Sequence, residues 1–232
     1  RLPYANAMRH YARAAAYAAA RPLVRVLRLP VNAGKGAAIR TAVAIARGER
    51  VVLLDADLAY DRDSVERAIA GLDAADFVSG DRRHERSTYS VPVRLFGFLY
   101  RRHIVGLAFN LYVRVLLGLT ARDTQCGLKA FRREPLLRMA ASLSTDGFAQ
   151  DVEMHLVAKA LRLRYVTVPV RVTYESAASS VRVARSGASM GVAVLRLAGR
   201  RLRGRYSPSR VAAAGTRYLR QSEGRRETTQ TL

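Results

Sequence analysis

Apolar and polar residues change period several times along this chain, and each change marks an element. Met8 to Ala20 is alanine-rich with helical spacing, and Arg21-Pro22 stops it, because the residue before proline is driven from the helical region. Val24 to Leu29, reading Val-Arg-Val-Leu-Arg-Leu, predicts a short strand ending at Pro30. Gly34-Lys35-Gly36 then turns the chain into a helix over Ala37 to Arg47, which Gly48 closes. Val51 to Leu54 is four apolar residues in a row, the mark of a strand buried on both faces. A helix over Asp63 to Leu72 and a strand and turn over Phe77 to Gly80 follow. Strand alternating with helix at this spacing predicts an α/β fold with a mainly parallel sheet flanked by helices.

Beyond Gly80 the chain turns basic, then enters a long helical stretch from Val91 to Leu119. Arg94, Arg101, Arg102, His103 and Arg114 interrupt it, which suits a surface or interfacial helix better than a membrane span. Asp123 to Phe131 is compact and polar and leads to a strand and a helix. Val152 to Leu161 reads helical, and Tyr165 to Val172 reads as a strand that Pro169 places at an edge or irregularity. From Ser176 through Ser222 there are ten Arg and no acid, predicting a basic helix over Met190 to Arg203 and a polar tail. The organisation expected is thus one domain over residues 1–175 and a basic helical extension over 176–232.

Chemistry enters where the buried strand ends. Asp55 and Asp57 follow Val51 to Leu54, and alternation along a strand would aim both carboxylates the same way at its carboxyl end. Ligands of open α/β sheets bind at that edge. Two close carboxylates repel unless a cation lies between them, and oxygen ligands suit Mg²⁺ or Mn²⁺. The pair reads either as a metal site for a phosphorylated ligand or as two acids opening a turn. Lys35 and the helix start behind it read either as a turn that attracts phosphate or as a plain solvent-facing one, and the full nucleotide-triphosphatase loop is absent, with Ala37 where Ser or Thr is required. Asp123-Thr124-Gln125-Cys126-Gly127-Leu128-Lys129 packs acid, amide, glycine and lysine into one segment. Asp151 and Glu153 form another acidic pair, and Asp151 reads equally well as a helix cap.

Net charge sharpens this picture. The chain has 40 Lys and Arg against 18 Asp and Glu, a balance of +22, and only Lys35, Lys129 and Lys159 are lysines. So basic a surface implies anionic partners: nucleic acid, anionic lipid or phosphorylated substrate. The single Cys126 excludes an intrachain disulfide and any cysteine-built metal cluster, fitting a reducing, cytoplasmic setting. No secretory leader is legible in Arg1 to Arg21.

The motifs VRVLRLPVNAGKGAAIRTAVAIARG, VVLLDADLAYD, DFVSGDRR, ARDTQCGLKAFRRE and GFAQDVEMHLVAKA stand in an order and separation that resemble family 2 glycosyltransferases, specifically dolichyl- or polyprenyl-phosphate β-glucosyltransferases. The resemblance spans roughly residues 24–175. It implies a GT-A fold and inverting transfer of glucose from UDP-glucose to a polyisoprenyl phosphate, at the cytoplasmic face of a membrane with peripheral association. It places the DxD motif on Asp55 and Asp57 as metal ligands for Mg²⁺ or Mn²⁺, with Lys35 and Arg82 beside the UDP-sugar donor. It puts Asp123, Gln125, Asp151, Glu153 and Arg82 in the catalytic set. Arg101, Arg102, Arg132 and Arg133 are further candidates for holding the two anionic partners. Asp81 stands where that family has serine, and Gln150 precedes the Asp-Val-Glu triplet. The family's first apolar strand and its Pro-x-Tyr-Asn-Glu-like loop have no counterpart ahead of Met8, so the fold is expected to be N-terminally incomplete, with weakened recognition of uracil. A rival from another class is a non-catalytic basic nucleic-acid-binding or scaffold protein on an α/β domain. No specific nucleic acid is expected, because no recognisable RNA-binding or zinc module is present.

Overall fold

The computed structural model describes residues 2–57, 59–93, 96–173 and 183–230. Helices and strands run in the order α1 (Leu2–Ala19), α2 (Lys35–Ile45), β1 (Arg50–Leu53), α3 (Arg62–Ala70), β2 (Phe77–Asp81), β3 (Thr88–Ser90), α4 (Phe96–Leu117), β4 (Lys129–Arg132), α5 (Arg133–Ala140), α6 (Gln150–Ala160), β5 (Tyr165–Pro169), β6 (Arg171–Thr173), α7 (Val183–Leu202) and α8 (Pro208–Gln230). The main sheet has strand order β1-β4-β2-β5, and β3 pairs with β6 in a second, two-stranded sheet.

The sheet is mixed, which corrects the expectation of a mainly parallel one. β4 runs antiparallel to both β1 and β2, and only β2–β5 is a parallel pair in this sheet. The reversal brings the segment from Asp123 to Lys129 back to the end of β1, because Leu53 is opposite Lys129. Phe77 and Phe131 are opposite one another on β2 and β4, and their rings stack at 4.4 Å. Both are fully buried, and truncating such a phenylalanine to alanine costs about 3–5 kcal/mol.

One apolar cluster lies under α4, α5, α6, α7 and α8 and includes Val113, Leu117, Leu137, Met154, Val194, Leu197 and Val211. A smaller cluster under α3 includes Leu72, Val78, Leu128 and Val170. α7 packs on α4, where the Tyr112 hydroxyl donates to the Gly191 carbonyl at 3.1 Å. The tail beyond Arg203, expected to be irregular, is the long helix α8, whose Val211, Tyr218 and Leu219 pack into the main core. Apolar residues at helical spacing explain the difference, because burial against α5 outweighs the polar composition of the rest.

The strand expected over Val24 to Leu29 does not form: residues 22–34 carry no regular element. Val24 and Leu27 remain 37% and 47% exposed. A strand needs a hydrogen-bonding neighbour, and none of the described strands runs alongside this segment. β5 ends at Pro169 on the sheet's edge, in agreement with the sequence.

Candidate active site

β1 ends at Leu53, one residue earlier than the apolar run, so Asp55 and Asp57 lie in the turn after the strand and not on its pleat. Asp57 is exposed and its Oδ1 accepts from the Ala59 amide at 3.4 Å. Asp55 faces inward. Its carboxylate fills the space where a Cβ on Gly127 would lie, so a side chain at position 127 would have to displace Asp55.

Lys35 joins two segments far apart in sequence. Its ammonium pairs with Asp55 and with Asp151, each at 2.8 Å. Gly34 makes this possible: its φ of +90° suits glycine, and it turns the chain into α2, which begins at Lys35. Burial alone would lower the Lys35 pKa, but Asp151 and then Asp55 raise it above the ordinary lysine value.

Behind this pair lies Lys129, only 1% exposed. Its ammonium donates to Asp151 Oδ1 at 2.8 Å and to the Cys126 carbonyl at 2.6 Å. Burial opposes the charge of Asp151, yet Lys129 and Lys35 together hold its carboxyl below the usual carboxylate range. Asp151 is thereby engaged by two cations; helix capping does not account for it.

Arg82 and Asp123 form a second unit. The guanidinium meets the carboxylate with Nε at 2.7 Å and Nη2 at 2.9 Å, and the Arg82 amide adds a third bond at 3.1 Å. Burial would raise the Asp123 pKa, but Arg82 holds it far below the usual range. Gln125 donates its backbone amide to Asp123 Oδ1 at 3.2 Å. Among the described residues its side-chain Nε2 and the Thr124 hydroxyl, both buried, have no hydrogen-bond partner. The Asp81 carboxylate, in the place of the expected serine, accepts from the Arg83 amide at 2.8 Å.

The two units share the segment 123–129. Tyr60, which sequence reasoning overlooked, accepts at its hydroxyl from the Gly127 amide at 2.9 Å and from the Cys126 thiol at 3.4 Å. Burial pushes this phenol up, so it stays protonated. Only its position three residues after the second aspartate could have drawn attention to it. A cleft of about 590 Å³, lined by Asp81, His84, Glu85, Arg122, Tyr165 and Thr167, opens next to the residues that flank Arg82 and Asp123 in sequence.

Other expected residues lie elsewhere. Glu153 is completely buried and turned to Ser144, Thr145 and Tyr206. Arg132 donates to the carbonyls of Leu72, Asp73 and Ala75, and Arg133 to that of Ala46, so both serve as clasps between loops. The side chains of Arg101 and Arg102 fall outside the described part of α4.

Among the described residues no group of three or more His, Cys, Asp or Glu encloses a metal ion. The donor set nonetheless fits a hard divalent cation, which protein sites hold through one or two carboxylates and substrate phosphates without an all-protein cage. Asp55 and Asp57 offer two such carboxylates, one of them exposed and only lightly engaged.

Comparison with known proteins gives the chain its relatives. The chain is 33% identical over 157 residues to the dolichyl-phosphate beta-glucosyltransferase of Homo sapiens, covering 65% of this chain and 47% of that protein. It is 32% identical over 155 residues to the dolichyl-phosphate beta-glucosyltransferase of Dictyostelium discoideum, covering 65% and 46%. The chain therefore spans about half the length of the curated relatives it matches. Among solved structures, glucosyl-3-phosphoglycerate synthase of Mycobacterium tuberculosis aligns with a TM-score of 0.45 at 23% identity, over 77% of this chain and 58% of that one. The profile of glycosyl transferase family 2 matches residues 9–138, which include α2, Asp55, Asp57, Arg82, Asp123 and Lys129. Because that profile covers more than half of its length, the chain belongs to glycosyl transferase family 2.

Proposed function

We propose that the protein is a metal-dependent, inverting glycosyltransferase that moves glucose from UDP-glucose to a polyprenyl or dolichyl phosphate at a membrane surface. The observation that carries this reading is the meeting of Lys35, Asp55 and Asp151 at the end of β1, opposite Lys129. A cationic side chain between two carboxylates, with the exposed Asp57 two residues from one of them, brings together the charge types that a diphosphate and a divalent ion require. The names of the relatives support the transferred sugar and the acceptor class.

In this reading Asp55 and Asp57 would hold Mg²⁺ or Mn²⁺, which when bound would supply positive charge for the leaving diphosphate. Lys35 adds a positive charge at the same end of the site. Asp123 fixes the Arg82 guanidinium in one orientation with two side-chain bonds, and Arg82 orients the anionic partners. A phosphate oxygen of the acceptor forms the new bond to the anomeric carbon from the face opposite the leaving group. The bond from that carbon to the β-phosphate oxygen breaks, UDP departs with the electron pair, and configuration inverts. The acceptor is already an anion near neutral pH, so no strong general base is required. Gln125 and Asp151 contribute position and charge.

The membrane part rests on two helices. Tyr100, Ile104, Leu107, Leu111 and Val115 recur at three- and four-residue spacing along α4 and are all 40% or more exposed. Val192, Leu195 and Leu202, three and seven residues apart on α7, are also exposed, next to exposed Arg196 and Arg203. Such a face covers acyl chains while arginines reach head groups. Among the described residues no helix is long and apolar enough to cross a membrane.

The deciding assay incubates the protein with labelled UDP-glucose, Mg²⁺ or Mn²⁺ and short polyprenyl phosphates. Label is expected in the lipid fraction, dependent on the metal. A folded sample that labels no lipid under either metal overturns the assignment.

A further inference from the structure

The expected catalytic residue Glu153 is engaged in a different task. It lies on α6 two positions after Asp151, is fully buried, and is surrounded by four donors. Its carboxylate accepts from the Ser144 amide at 3.0 Å, the Thr145 amide at 2.8 Å, the Ser144 hydroxyl at 2.8 Å and the Tyr206 hydroxyl at 2.5 Å. Those contacts occupy the acceptor sites that a carboxylate offers. Arg200 of α7 donates to the Ser144 hydroxyl at 2.6 Å and lies 3.9 Å from Glu153. Burial, reinforced by Glu153, pushes the Tyr206 phenol up, so it remains a donor at neutral pH. The C-terminal helices thus hold the loop 144–146 through Glu153.

The same loop holds the start of α2. The Asp146 carbonyl accepts from the Gly36 amide at 2.7 Å. The Asp146 carboxylate pairs with Arg40, and the Thr145 carbonyl accepts from Arg40 at 2.9 Å. The Gln150 amide, oriented by its surroundings, donates to the carbonyls of Gly36 at 3.1 Å and Thr145 at 2.7 Å. Lys35 is thereby pinned on its far side by a loop that never touches its ammonium.

We propose that Glu153 and Tyr206 are positioning residues: through the loop 144–146 they set the Gly34-Lys35-Gly36 turn, so that the α7–α8 corner fixes the ammonium joining Asp55 to Asp151. The relay itself stands on these contacts alone. Its effect on ligand affinity rests on the nucleotide-sugar reading above.

Two variants test it in the full chain, followed by amide exchange with mass spectrometry and by calorimetry with UDP and Mn²⁺. Tyr206→Phe removes the donor to Glu153, and Arg200→Ala, at a partly exposed side chain, removes the donor to Ser144 with little risk to folding. In both, amides of residues 33–41 and 143–147 are expected to exchange roughly three- to tenfold faster, the scale of one net hydrogen bond. Exchange in β2 and α3 stays as in the parent. Under the nucleotide-sugar reading, UDP binds several-fold more weakly, and donor KM rises with little change in kcat, the signature of lost uniform binding. Arg200→Lys restores the parental values. Unchanged exchange in both loop segments, or equal acceleration throughout the chain, overturns the relay and leaves Glu153 as a plain core contact. A parent protein that binds no UDP overturns the functional reading instead, while the exchange pattern still decides the relay.

Discussion

Asp57 has an exposed carboxylate whose contact is one long bond from the Ala59 amide. Asp57→Asn should therefore leave the fold intact and weaken Mn²⁺ binding in the presence of UDP on the order of tenfold or more, comparable to disturbing a ligand's supporting contacts. Calorimetry that returns the parental isotherm would remove Asp57 from the metal site. Lys129 presents the opposite case. Lys129→Met leaves Asp151 buried with one cation in place of two, and breaking a buried pair costs about 3–5 kcal/mol. Urea unfolding should show that loss as a lower midpoint, and a midpoint unmoved from the parent would mean that water already reaches Asp151. The sequence made the first residue legible, because two acids at a strand's end carry a chemical reason on their face. Lys129 was visible as part of a polar segment, but its burial was not: only the antiparallel return of β4 puts it behind Asp151.

At the scale of elements, α2, α3, β2 and α6 follow from period and capping, and Asp61 caps α3 by accepting from the Ser64 amide at 3.0 Å. Strand direction was not legible, because a run of apolar residues has the same period whichever way its neighbour runs. Nor was the end of the chain, where composition pointed to a tail and burial against α5 makes α8. The interfacial character of α4 was legible in an apolar stretch broken by arginines, but which of its residues form the exposed stripe was not, because that depends on the face α7 covers. Leu111→Asp with Val115→Asp places two charges on that exposed stripe. Flotation with vesicles containing anionic lipid should then fall well below the parent's, at unchanged thermal stability. Equal flotation would move the contact to another face.

For the molecule as a whole, pH sensitivity is set by groups held away from their ordinary ionisation. Burial lowers the His155 pKa to about 3, with Lys129 adding to the effect, and its Nε2 has no hydrogen-bond partner among the described residues. The unfolded chain binds a proton on this histidine below about pH 6.5, whereas the folded chain does not until about pH 3. Stability should therefore fall as pH drops through that window, by at most about 1.4 kcal/mol per pH unit from this one group. Asp123 and Asp151, with depressed folded values, add a loss of the same sign at lower pH, below the ordinary carboxylate range near 4. Urea midpoints measured from pH 7 to pH 5 should decline in the parent and decline less in His155→Gln. Parallel declines would assign the slope to other groups.

The outer flank of β1 has a consequence for how copies of this protein meet. β1 ends the sheet, with β4 on one side and no strand partner on the other among the described residues. An open edge is a template on which any extended apolar chain can zip. The segment Val24 to Leu29 is such a chain, with exposed Val24 and Leu27, and it is interrupted by exposed Arg25 and Arg28. Those two arginines act as gatekeepers, since like charges keep one copy's segment from lying along another's edge. Replacing both with valine should bring concentration-dependent light scattering at protein levels where the parent stays clear. On that outcome, part of the chain's arginine richness serves colloidal separation, independent of any phosphate it binds.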